Sequence, residues 1–109
     1  MKNEEYKQEL VKSIKQGQFT EELEIACAEM IQALFNKYPY KIQKWYKSEH
    51  DSIFKNSALE VCKRLALKFN PEKSDNAFAY TVQIIKSDFA KTTLKLIKEF
   101  RQNEKLSTE

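Results

Sequence analysis

Apolar residues recur every three or four positions along most of the chain, the period of helices that each bury one face. Over residues 3–16 they are Tyr6, Leu10, Val11 and Ile14, which predicts a short amphipathic helix ending near Gly17. Thr20 is a good N-cap, and Glu21 and Glu22 follow it where the helix dipole favours negative charge. Leu23, Cys27, Met30, Ile31, Leu34 and Tyr38 continue a second helix that should stop before Pro39. Residues 39–50 mix aromatics and lysines without a clean period, so a loop holding at most one helical turn is expected there. A third helix over about 51–68 places Phe54, Ala58, Val61, Cys62, Leu65 and Phe69 within roughly 100° of one another on the helical wheel. Pro71 and its polar neighbours break the chain, and Ser74 or Asn76 caps a last helix over about 77–102. Its stripe is Phe78, Val82, Ile85, Phe89, Leu96 and Phe100, and the polar tail from Asn103 is expected to fray. The expected division is an N-terminal helix over 1–19, a helical domain over 20–102 and a tail over 103–109.

Composition sharpens this picture. One Gly and two Pro in 109 residues leave too few turn residues for a sandwich or barrel, and no glycine loop to cradle phosphate. The expected fold is all-α, a compact single-domain bundle of about four helices. No apolar run approaches the ~20 residues that span a bilayer, and the opening Met1–Glu5 is too polar for a signal peptide, so a cytoplasmic protein away from membranes is expected. Cys27 and Cys62 each sit among apolar residues at helical spacing and read as buried, reduced thiols. His50 has no second His or Cys at ligand spacing, and no carboxylate pair or nucleophile arrangement stands out. Neither metal, cofactor nor enzymatic activity is therefore expected.

Charge and leftover apolar positions raise two functional questions. Residues 1–30 carry 4 Lys against 7 Glu, residues 31–75 carry 9 basic against 5 acidic side chains, and residues 76–109 carry 6 against 4. On the last helix, the side away from the core stripe holds Tyr80, Ile84, Ser87, Lys91, Lys95 and Lys98. Lysines neutralise phosphates and a tyrosine can stack on an unpaired base, worth roughly 1–3 kcal/mol, although a solvated lysine face gives the same pattern. On the third helix, Ile53, Leu59 and Leu67 point away from the core stripe and flank Asn56, Glu60 and Lys63. Either another helix of the domain or a partner protein covers them. A helix-turn-helix duplex binder is disfavoured, because the turn at 69–76 is long and no short recognition helix follows it.

The run from Asn56 to Ser74 (NSALEVCKRLALKFNPEKS), followed by Asn76 to Phe89 (NAFAYTVQIIKSDF), resembles region 2 of bacterial RNA polymerase sigma factors. The likeness is greatest to the small late-transcription sigma factors of tailed phages, and it spans roughly residues 23–100. The resemblance implies a helical module that binds the clamp helices of the polymerase largest subunit and captures an A·T-rich promoter −10-like element as it opens. The core-binding positions fall on Asn56, Leu59, Glu60 and Lys63, with Leu67 one turn on. The strand-melting helix falls on residues 77–91, with Phe78 in its first turn. Its base-stacking tyrosine is Tyr80, and Gln83, Ile84, Lys86 and Ser87 occupy strand-contacting positions. Lys91, Lys95 and Lys98 would then hold phosphates of the opened non-template strand. A sigma factor of this size implies either a separate phage coactivator or a short promoter read alone, in the cytoplasm of the bacterial host. Ile53 stands where the family usually has an acidic residue, and Gln83 and Ile84 replace the tryptophan pair of housekeeping sigma factors. A helical adaptor or inhibitor that uses the Leu59 and Leu67 face without touching DNA is the competing expectation.

Overall fold

The computed structural model describes residues 3–37 and 43–107. Among the described residues there are four α-helices, α1 (Asn3–Gln16), α2 (Glu21–Lys37), α3 (His50–Leu65) and α4 (Ala77–Ser107), with a 3-10 turn over Ala66–Lys68 closing α3. The all-α, four-helix architecture expected from the periodicity is the one observed. Residues 38–42, including the expected end of α2 at Tyr38, lie outside the described residues.

Each boundary has a local chemical cause. Gly17 adopts φ 66° and lets its own N–H reach the Ile14 carbonyl at 3.1 Å while Gln18 N–H reaches Ser13 at 3.1 Å, the paired bonds of a Schellman stop. Thr20 caps α2 by accepting from Leu23 N–H at 3.2 Å, and its hydroxyl donates to the Glu9 carboxylate at 2.6 Å, tying α2 to α1. Asn70 Oδ1 accepts from Glu72 N–H at 2.9 Å across Pro71, and Asn76 Oδ1 accepts from Ala79 N–H at 2.9 Å. Of the two caps expected for the last helix, Asn76 is the one used.

The core lies where the four apolar stripes meet. Phe35, Phe54 and Phe89 form a triangle with centroid separations of 5.5, 5.8 and 6.0 Å, joining α2, α3 and α4. Tyr6 is fully buried, and its hydroxyl donates to Thr81, whose own proton goes to the Ala77 carbonyl at 3.1 Å. Phe54 meets Phe89 while Tyr80 meets Leu65 and Phe69, so α3 and α4 run antiparallel. Cys27 and Cys62 are both free and buried, as expected. Trp45, in the segment without a period, is 9% exposed and lies over Phe54 at 6.3 Å, which anchors the entry to α3.

Two boundaries differ from expectation. The third helix stops at Leu65 and tightens into the 3-10 turn, where Phe69 N–H bonds Ala66 at 3.1 Å. The last helix does not fray at Asn103 but continues to Ser107. Gln102, Glu104, Lys105 and Leu106 are all good helix formers and no Gly or Pro interrupts them; polarity signals missing tertiary packing, not missing helix. The 31 residues of α4 give a rod of about 46 Å at 1.5 Å per residue, which accounts for most of the 56 Å long axis. Among the described residues, no helix is long and apolar enough to cross a membrane.

Candidate functional site

The early end of α3 creates the site. In a continuing α-helix the Leu65 carbonyl would accept from Phe69 N–H, but the 3-10 turn takes that donor to Ala66 instead. The freed Leu65 carbonyl accepts from the Tyr80 hydroxyl at 3.0 Å. Tyr80 is thereby half-buried, its ring tilted at 52° against Phe69 with centroids 5.2 Å apart. Its hydroxyl is tied down and the ring forms a fixed wall.

That wall bounds a groove of about 280 Å³ between α3 and α4. Tyr80, Gln83, Ile84, Ser87 and Lys91 line it from α4, and Val61, Arg64 and Leu65 from α3. A shallower depression of about 430 Å³ adjoins it, bounded by Ser57, Glu60, Val61, Arg64 and Asp88. Asp88 borders both hollows, is 8% exposed, and leaves Oδ2 without a hydrogen-bond partner among the described residues. Behind it, the Cys62 thiol is pushed far above the usual thiol range by its hydrogen bond with Cys27 and by burial, with the Asp88 charge adding to the effect. Cys62 is thus held un-ionised.

The remaining residues singled out from the sequence divide by position. Lys95 is exposed one turn beyond Lys91, whereas Lys98 borders a separate hollow with Leu94, Ile97 and Arg101. Lys86 is exposed but lies outside the groove. Phe78 belongs to a different surface: it meets Tyr6 edge-on at 6.2 Å and borders Ala26 and Met30. A residue two positions before Tyr80 is turned by about 200°, so Phe78 cannot share its face.

On α3, Asn56, Glu60 and Lys63 are exposed, and Lys63 Nζ lies 3.3 Å from Glu24 of α2. Leu59 and Leu67 are half-buried against the core, and α1 packs on the 3-10 turn that carries Leu67. The domain itself therefore covers much of the second apolar surface, leaving Ile53 at 42% exposure. Sequence reasoning missed Asp88 and Arg64. Asp88 falls on the core side of α4 between Ile85 and Thr92, and a charge on that stripe was the available signal.

No protein family, curated protein or solved structure matches this chain.

Proposed function

We propose that the chain is an RNA polymerase sigma factor of the phage late-transcription type. It would bind the clamp helices of the core enzyme and engage the opened non-template strand of an A·T-rich −10-like element in the host cytoplasm. The observation that carries this reading is the α3–α4 groove. It joins a preorganised aromatic wall, Tyr80, to an aliphatic one, Ile84, with Arg64 and Lys91 beside them. Phosphate-neutralising cations next to a flat apolar surface are what single-stranded nucleic acid requires. Binding energy placed on unstacked bases favours the opened state, and A·T-rich sequence opens at least cost. The exposed Asn56, Glu60 and Lys63 supply a separate polar surface on α3 for the polymerase.

Exposed Leu94 and Ile53 favour the second reading, an adaptor or inhibitor that docks on another protein without touching DNA. Co-purification with bacterial core polymerase, followed by transcription from A·T-rich templates, separates the two. The sigma reading requires both retention and promoter-dependent initiation. Retention without initiation, together with indifference to Tyr80→Ala, supports the adaptor.

A further inference from the structure

Two rows of exposed side chains, one on the first half of α2 and one on the second half of α4, oppose each other in charge. Among the described residues, the two most exposed large apolar side chains are Ile25 at 53% and Leu94 at 70%. Ile25 follows the exposed Glu21 and Glu22 by one turn of α2. Leu94 stands between the exposed Lys91 and Lys98 of α4, with Arg101 nearly one turn further on. We propose that this chain associates with itself head to tail, the Leu94 row of one molecule seating on the α2 face of the next.

The seat on α2 is a hollow of about 260 Å³ bounded by Ala26, Glu29, Met30, Ala33 and Phe78. Ala26 and Ala33 leave the space and Met30 and Phe78 make it apolar, which suits one aliphatic knob from a neighbouring helix. The registers agree. Glu22 precedes Ala26 by four residues and Glu29 by seven, while Lys98 and Arg101 follow Leu94 by four and seven. Residues so spaced share one helix face, so an antiparallel crossing that puts Leu94 in the hollow brings both cations toward Glu22 and Glu21. Within one chain the two rows cannot meet, because Leu94 lies 16 residues beyond Phe78 on the same helix, about 24 Å away. Like rows do not pair either: two α4 rows would meet cation to cation, and two α2 rows acid to acid. The contact is therefore heterologous and leaves one unused row at each end, to which further copies can add. Few residues form it on each side, which places it among small, transient interfaces, and its charges make it sensitive to salt.

Sedimentation velocity on the full chain at low salt, over concentrations from about 10 μM to about 1 mM, tests this. The weight-average mass should climb past that of a dimer with concentration and return to that of the monomer at about 1 M salt, where the Debye length is about 3 Å. Reversing the acidic row (Glu21→Lys with Glu22→Lys) or the basic row (Lys98→Glu with Arg101→Glu) should leave each variant monomeric. An equimolar mixture of the two should associate again, since each then offers the other an opposite charge. Leu94→Ser, which keeps every charge, should weaken association in the native background. A melting curve accompanies each variant; if a charge reversal unfolds the chain, Leu94→Ser and the salt series carry the test. A monomer mass across the whole series overturns the proposal. So does association that survives high salt, indifference to reversal of either row, or a mixture that stays monomeric. The contact requires neither DNA nor polymerase, so its failure leaves the sigma assignment untouched.

Discussion

Asp88, Tyr6 and the paired thiols Cys27 and Cys62 show how single buried polar groups bear on stability. Replacing Asp88 by Leu removes a buried oxygen that has no hydrogen-bond partner among the described residues. Stability should rise by about 1–2 kcal/mol, read as a higher urea midpoint at unchanged slope. A fall would mean that the carboxylate is satisfied in the folded protein. The hydrogen bond with Cys27, and then burial, raise Cys62 above its ordinary 9.0, and burial raises Tyr6 above its ordinary 10.0. A group raised in the folded state gives stability that is full below its unfolded pKa and lost as pH rises past it. Urea midpoints should therefore hold to about pH 8 and decline between pH 9 and pH 11; a flat profile across that window would contradict the burial of these groups.

At the scale of elements, the ends of the helices were legible where a side chain or a glycine makes the stop. Gly17, Thr20 and Asn76 act as expected. Gly17→Ala should cost about 1 kcal/mol, since a Cβ at positive φ is strained even though nothing lies within 4 Å of it. A melting temperature unchanged by that substitution would place the end of α1 elsewhere. The stop of α3 at Leu65 was not legible, because the carbonyl it frees finds its donor in Tyr80, fifteen positions on. The continuation of α4 past Gln102 was missed for a different reason: amphipathic pattern reports burial, and these residues form helix without it. Phe78 was grouped with Tyr80 by its place in a resembling motif, whereas the helical rotation between them sends it to Tyr6.

For the whole molecule, the periodicities carried the four-helix fold and the core, including Phe54, Cys62, Ile85 and Phe89. They did not carry the balance between internal packing and free surface. Leu59 and Leu67, read as a surface awaiting a cover, are partly covered by the domain itself, and Lys63 faces Glu24 across α2. That half-exposed ion pair is worth at most about 1 kcal/mol, so a partner can compete for Lys63 at little cost. The groove emerged from the antiparallel meeting of α3 and α4, a relation between residues far apart in the chain. The most direct test of its role is initiation by core polymerase on an A·T-rich promoter, comparing the native chain with Tyr80→Phe and Tyr80→Ala. Tyr80→Phe keeps the ring and should retain most initiation. Tyr80→Ala should lose opening of the −10-like element, seen by permanganate footprinting, while still co-purifying with the polymerase. Failure of the native chain to co-purify, or full promoter opening by a folded Tyr80→Ala protein, would contradict the assignment.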